Sequence, residues 1–278
     1  MRCFKRIVIA AVLLSGIAVF LLWQNFSLQT EAVSITVPDL PAEFDGLRIV
    51  QLSDLHGREF GEDNLRLLEA VAAAAPDLIC ISGDLFDEST ELNVLPPLLE
   101  GLVAIAPTYY ATGNHEFQVD TREAVFSQME QLGVTVLRDE YAVLERGTAK
   151  LILAGVDDPC GPLERKSADT LVEEIRQAHG EDVCIIMLAH RNDTLPLWEK
   201  LGVQLVLTGH CHGGVVRLPI LGGIFGTHRE LLPAYDAGLY QSGGTSLFVS
   251  RGLGYSRVKF RLFNRPHLPI LTLECEKS

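Results

Sequence analysis

The sequence is short of cysteine arrangements that staple a fold. Its six cysteines, Cys3, Cys80, Cys160, Cys184, Cys211 and Cys275, form no CxxC pair and no disulfide-framework spacing. Cys80 and Cys184 lie in apolar runs and read as small core hydrophobes. The sequence is also short of positive charge. Its 23 Lys and Arg face 36 Asp and Glu, for a net charge of -13. The chain beyond Arg2, Lys5 and Arg6 is more acidic still. Such a body is a poor match for nucleic acid, which wants a basic patch. A pair of bound divalent cations would nevertheless reverse the potential at one site. Internal repeats and low-complexity stretches are absent, and 47% hydrophobic content supports a well-buried core. Nothing along the 278 residues marks a second domain boundary.

What the sequence does have begins at the N-terminus. Residues 7–23, IVIAAVLLSGIAVFLLW, are uncharged and close to the shortest run that spans a bilayer. Trp23 suits a membrane–water boundary, and no Lys or Arg follows until Arg48. The positive-inside rule then puts residues 1–6 in the cytoplasm and the body on the extracytoplasmic side, as a single-pass membrane protein. The alternative is a cleaved signal peptide and a secreted body. The run is long for a signal h-region, and Thr30-Glu31-Ala32 is only a weak cleavage candidate. An uncleaved anchor is therefore the expectation.

Residues 24–46 read as a linker and a strand leading into the body, punctuated by Pro38 and Pro41. From 47 to 278 the pattern predicts one α/β domain. Strands are expected at 47–53, 77–82 and 108–112, with helices at 64–75, 93–103 and 121–132 between and after them. Pro96 and Pro97 must sit in the first turn of the second of these helices. The second half predicts strands at 134–137, 141–145, 150–155, 183–189, 203–208, 246–250, 257–262 and 270–274. Helices at 168–179 and 194–201 interrupt them. This order suits a layered α/β domain.

Five of these strands end in metal-ligand residue types. The turns are Ser53-Asp54-Leu55-His56, Gly83-Asp84-Leu85, Gly113-Asn114-His115-Glu116, Ala189-His190-Arg191 and Thr208-Gly209-His210-Cys211-His212-Gly213-Gly214. Strand ends in an α/β sheet converge on one crevice, so the turns can meet. They offer Asp54, His56, Asp84, Asn114, His190, His210 and His212. Imidazole and carboxylate suit first-row divalent ions. Seven side chains are too many for one ion and about right for two, so one carboxylate must bridge, and Asp84 is the natural candidate. A lone D-x-H or histidine is more often structural than a ligand. Here five of the eight histidines fall in the turns. In D-x-H and H-x-H, alternate residues of an extended turn share a side. Cys211 then points away from the metals and reads as inert.

D-x-H, GD, GNHE, an isolated His and GHxHGG, in that order over residues 47–260, resemble the signature of calcineurin-like metallophosphoesterases. The resemblance implies a four-layer αββα fold, a two-sheet β-sandwich flanked by helices. It implies one ion held by Asp54, His56, Asp84 and His212, and a second held by Asp84, Asn114, His190 and His210. It implies that His115 is no ligand but faces the substrate and stabilises or protonates the leaving oxygen. Manganese is the first expectation for the two ions, with iron or zinc as alternatives. Asp87 stands where purple acid phosphatases carry a metal-binding tyrosine, which counts against that chemistry. The N-terminal anchor, SDLH and RGLG (251–254) look like a bacterial membrane-associated or exported branch.

The implied reaction is hydrolysis of a phosphoester or pyrophosphate by a metal-bridging hydroxide. A lipid-linked or envelope phosphoester is the substrate class that anchorage favours. A non-catalytic metal-binding scaffold of the same fold is the alternative, and the filled ligand set speaks against it. Arg58 and Arg229 are either readers of a phosphate or headgroup or, as the commoner case, solvated surface arginines. Glu116 either orients His115 or caps the following turn. Residues 213–245, glycine-rich and containing LPILGG, form a long loop that covers the site, dips toward a membrane, or does neither. His179, His228 and His267 lie outside every motif. The sequence gives no sign of oligomeric state.

Overall fold

Continuous apolar runs such as LICIS and IIML mark strands covered on both faces. The computed structural model, which describes residues 2–163, 165–227, 229–255 and 258–276, arranges such runs in two six-stranded sheets. The first sheet runs β1 (Gln29–Val37), β14 (His267–Cys275), β2 (Arg48–Leu52), β3 (Leu78–Ser82), β4 (Thr108–Ala111) and β5 (Thr135–Val136). Its pairs are all parallel except β14 with β2. The second runs β12 (Gly238–Ser242), β13 (Thr245–Val249), β9 (Leu205–Thr208), β8 (Ile185–Leu188), β7 (Ala149–Gly155) and β6 (Glu140–Arg146). Its interior pairs are parallel and its two edge pairs antiparallel. A small hairpin joins β10 (Arg217–Leu218) to β11 (Gly222–Gly223).

Three apolar clusters set the layers. Ile79 and Ile81 of β3 pack outward on α2 (Leu65–Ala73), α3 (Leu95–Ile105) and α4 (Arg122–Gln131), through Leu67, Leu98 and Phe126. Their neighbours Leu78 and Cys80 face the other way, into the core between the sheets with Leu153, Ile186 and Leu207. Ile185 and Met187 of β8 again face outward, onto α5 (Ala168–His179) and α6 (Leu195–Leu201) through Leu171, Ile175 and Trp198. The period-two alternation thus feeds two layers from each strand, and the expected αββα order results. Pro96 and Pro97 do sit in the first turn of α3. Ser167 caps α5, and Gly202 at φ 65°, ψ 33° ends α6.

Two expectations along the chain need correction. The strand expected over 257–262 does not form among the described residues there; Leu262 makes only one isolated bridge, to Val216. The backbone is otherwise engaged, because Asn25 accepts from Arg261 N at 2.7 Å and donates to Arg261 O at 3.0 Å. Conversely β12 is a strand without a continuous apolar run, since it is a half-exposed edge.

The first helix, α1, spans Arg2–Phe26. Its segment Phe4–Phe26 has mean hydropathy 2.4 and is long and apolar enough to cross a membrane. Most of it is exposed, but in its last turn Gln24 and Asn25 are buried in the body while Trp23 and Phe26 stay exposed. The chain then enters β1, which pairs with β14 along its whole length.

Candidate metal centre

The parallel strands deliver their carboxyl-end turns to one edge of the sandwich. Gln51 on β2 bolts the two sheets together there, donating to Ser82 Oγ at 2.7 Å and Thr208 O at 2.9 Å. The turns then bond one another. Asp54 N donates to Gly83 O, His56 N to Asp84 O, and Gly209 N to His190 O, each at 3.0 Å. His115 N donates to Asp84 Oδ1 at 2.9 Å and His210 N to Asp54 Oδ1 at 3.0 Å.

The turns are not extended, as the spacing argument supposed. Asp54, His56, Asp84, His210 and His212 have φ of 51°, 50°, 52°, 66° and 49°. Left-handed backbone costs a residue with a side chain roughly 1–2 kcal/mol, and such strain persists only where its surroundings enforce it. Two glycines let the turns approach. A Cβ on Gly113 would strike the Asp84 carboxylate, and one on Gly209 would strike Ser53 and Asp54.

All seven expected ligand residues meet at this edge. Asp54, His56 and His212 bring donor atoms within 4.8 Å of one another, and so do Asp84, His190 and His210. Asp84 stands between the groups, its Oδ2 3.1 Å from His190 Nε2 and 3.7 Å from His56 Nε2. The first group closes with His56 Nε2 3.3 Å from His212 Nε2, which is 3.4 Å from Asp54 Oδ1. In the second, His210 Nδ1 is 3.2 Å from His190 Nε2. Asn114 Oδ1 is buried with no hydrogen-bond partner. An orphaned acceptor beside two Asp/His clusters fits divalent cations, and the mixed donor set suits first-row ions. His115 lies within ligand reach of His56 and Asp84 as well, its ring edge-on to His56 at 4.9 Å.

Burial and pairing set the charges. Burial would raise Asp84, but His190 and His56 hold it well below the carboxylate range. Burial would lower His190, but Asp84 and Asp54 push it up to about 10. Burial, with His56 and Arg261 adding to it, holds His212 well below the usual histidine range. Burial also lowers His115, which favours its neutral form.

A supporting layer fixes the ring orientations. Asp87 Oδ2 is 3.1 Å from His56 Nδ1, and Ser82 O is 2.9 Å from His190 Nδ1. Arg191 Nη1 is 2.9 Å from His210 Nε2, while its Nε and Nη2 grip Asp158 at 2.6 and 2.9 Å. Arg261 Nη2 is 3.4 Å from His212 Nδ1, and Asn264 Nδ2 donates to His212 O at 2.8 Å. Sequence reasoning missed Asp158, Arg191, Arg261 and Asn264 as supports, and saw Asp87 only for the tyrosine it replaces. The one local signal was a second carboxylate three residues beyond Asp84.

The remaining candidates sort themselves. Glu116 bonds neither His115 nor the turn that follows it: it is fully buried, and its carboxylate ties two ligand turns together by accepting from Asp84 N, Leu85 N and Gly113 N at 3.2, 2.7 and 2.9 Å. Burial and Asp84 push it up to about 7. Arg58 reads no phosphate, because its guanidinium donates to Leu253 O and Asn25 O and stacks 4.3 Å from the Tyr255 ring centroid. RGLG (251–254) covers the Asp54 turn, with Gly254 N donating to Asp54 O at 2.7 Å. Cys211 is buried, and burial pushes its thiol up to about 12, so it stays a thiol. His179 meets Tyr141 at 3.3 Å, His267 lies at the start of β14, and His228 is outside the described residues.

A cavity of about 420 Å³ opens over the cluster. Asp84, Asn114, His115, His210 and His212 form its floor, with Arg191, Arg229, Val215, Phe225 and Val258 among its walls. Its size suits a small anionic group with part of a larger substituent.

The calcineurin-like phosphoesterase family matches residues 47–214, and the chain belongs to it. It is 31% identical over 241 residues to the uncharacterized metallophosphoesterase YkuE of Bacillus subtilis, covering 84% of this chain and 82% of that one. It is 30% identical over 237 residues to phosphodiesterase YaeI of Escherichia coli, 81% of this chain and 82% of that. A transmembrane protein with a metallophosphoesterase domain from Danio rerio is 30% identical over 98% of this chain, which spans 63% of its length. Sulfate thiohydrolase SoxB of Thermus thermophilus shares the fold, with TM-score 0.52 at 14% identity over 84% of this chain and 57% of that one.

Proposed function

We propose that the protein hydrolyses a phosphoester or pyrophosphate bond with two divalent cations, held by Asp54, His56, Asp84 and His212 on one side and by Asp84, Asn114, His190 and His210 on the other. The observation that carries this reading is the position of the Asp84 carboxylate between the two donor groups, with the orphaned Asn114 Oδ1 in the same cavity floor. Two such ions would supply a hydroxide nucleophile near neutral pH and offset charge on the phosphoryl oxygens. The chain's own part is orientation. The left-handed turns hold the ligands, Glu116 locks the turns carrying Asp84 and Asn114, and Asp87 and Ser82 O fix two imidazoles. His115, half-buried at the cavity, donates a hydrogen bond to the leaving oxygen. Arg229 is the cationic side chain we assign to the substrate's remote charge. Manganese is our first choice of metal, ahead of iron and zinc.

We further propose that α1 is retained as a single-pass anchor, with residues 1–6 cytoplasmic, the body extracytoplasmic and a lipid-linked or envelope phosphoester as substrate. The buried Gln24 and Asn25 support retention, since cleavage after them would remove the Asn25 groups that accept from Arg58 Nη2, Tyr255 Oη and Arg261 N.

The test is a manganese-supplemented panel of bis-p-nitrophenyl phosphate, p-nitrophenyl phosphate and a nucleotide-diphospho-lipid analogue, with bound metal measured by elemental analysis. Asp84→Ala and His212→Ala should lose metal and turnover while staying folded. His115→Ala should keep metal and lose about a hundredfold in kcat or more. Full turnover by Asp84→Ala removes the assignment.

A further inference from the structure

Around the end of α1 this acidic protein is locally poor in carboxylates. From Ala237 to Leu273 there is no Asp or Glu; Arg261 is buried against His212 and Arg251 pairs with Glu31, so among the described residues Lys259 and Arg265 are the outward cations of that stretch. From Gly213 to Arg229 there is again no acidic residue; Arg217 is paired with Asp236 at 2.8 Å and Arg229 is exposed. These two segments meet: Val216 bridges Leu262, and Arg217 N donates to Leu262 O at 3.0 Å. The same segments carry apolar side chains into solvent. Phe263 is 51% exposed, Ile220 fully exposed and Leu221 58% exposed, the last two in the link between β10 and β11.

The position of Phe263 gives this surface its meaning. Its ring lies 5.6 Å from Phe20, and Arg265 lies 4.5 Å from the Trp23 ring while donating to Ser27 Oγ at 2.8 Å. Phe20 is six residues before the last residue of α1, or about 9 Å back along the helix axis. If α1 spans a bilayer, Phe263 therefore stands beside residues that are inside it. An apolar ring at that depth with arginines at the helix end is the pattern of an interfacial contact.

We propose that Phe263 and the β10–β11 tip (Leu218, Ile220, Leu221) form a second membrane contact beside α1, seated on anionic phospholipid. The contact rests on the proposed reading of α1 as an anchor. It has a consequence for the active site, because Val215 and Val258, which line the cavity, belong to the same two segments. The cavity mouth then opens at the lipid surface, and a phosphoester reaches it with its apolar portion still in the bilayer.

The test uses the full chain reconstituted in vesicles containing lipid brominated near the headgroup, in phosphatidylcholine or with phosphatidylglycerol added. Phe263→Trp, Ile220→Trp and, as an exposed control on α6, Leu197→Trp are compared with the parent by the emission each added indole contributes. Turnover of a soluble diester confirms that each variant is folded. Quenching of the first two and not of the third is expected, stronger for Ile220→Trp when phosphatidylglycerol is present. Quenching of the parent's Trp23 without quenching at 263 and 220 overturns the contact while leaving the anchor standing. No quenching of Trp23 removes the anchor and the contact together. A blue shift without quenching at 220 overturns the contact in favour of a second copy of the chain.

Discussion

The two halves of the candidate metal centre are held in different ways. The His190 and His210 half rests on the sheets: His190 bonds the end of β3, and His210 is backed by Arg191, itself gripped by Asp158 at the carboxyl end of β7. The His212 half rests on a collar of irregular backbone joined to the last turn of α1. Arg261 and Asn264 brace His212, Asn25 braces Arg261, and RGLG covers Asp54. One half thus inherits the rigidity of a β-sandwich. The other inherits whatever order the last turn of α1 imposes. The same difference predicts which half loosens first when the protein is perturbed.

The sharpest way to break the comparison is Arg261→Met. The guanidinium donates to Gly254 O at 2.6 Å and Arg251 O at 2.8 Å besides facing His212, so two buried carbonyls lose their donor. Metal activation should shift by about 10–100-fold in concentration. Each orphaned carbonyl should also cost about 1–3 kcal/mol of stability, readable as a lower Tm. The expectation is one tightly held ion per chain rather than two, and equal loss of both would show that the halves share one support. Asn25→Ala should act in the same direction but more weakly, about tenfold or less in the activation curve, because Arg261 keeps its side-chain bonds. No change would detach the helix end from the site.

Acid gives the mildest perturbation. His267 accepts from Arg251 N through Nδ1 at 3.3 Å and faces Glu31 from Nε2 at 3.1 Å. Burial lowers His267 to about 4 from its usual 6.5, with Glu31 only partly opposing this. Between those values the unfolded chain binds more protons than the folded one. The contribution is therefore complete above about pH 6.5 and is lost as pH falls toward 4. The expected result is a Tm that drops by several degrees over this window, a drop that His267→Gln flattens. A slope unchanged in that variant would mean that the collar does not sense acid through this residue.

Much of the site was legible because it is local. Each ligand turn directly follows an apolar strand, so strand ends and ligand types could be read together. The strands β2, β3, β8 and β9 are short runs with both faces buried, which leaves an unmistakable pattern. The left-handed backbone at Asp54, His56 and Asp84 was not legible, since neither Asp nor His demands it. The collar was illegible for another reason. Asn25 and Arg261 are 236 residues apart and meet backbone to side chain, so neither identity announces the other. A short basic stretch near residue 260 therefore looked like one more strand. The supports Asp158 and Arg191 were hidden in the same way, because a bidentate pair across 33 positions has no periodicity.

The burial of Gln24 and Asn25 ties the end of α1 to the body. If that helix crosses a bilayer, the hydrolytic domain cannot swing on a leash like a tethered ball. It stands on a stiff mast, free to drift sideways and to spin about the membrane normal, with its reach fixed at one height. Encounters with substrate then become a search across a plane, and molecules beyond that height stay out of range however abundant they are.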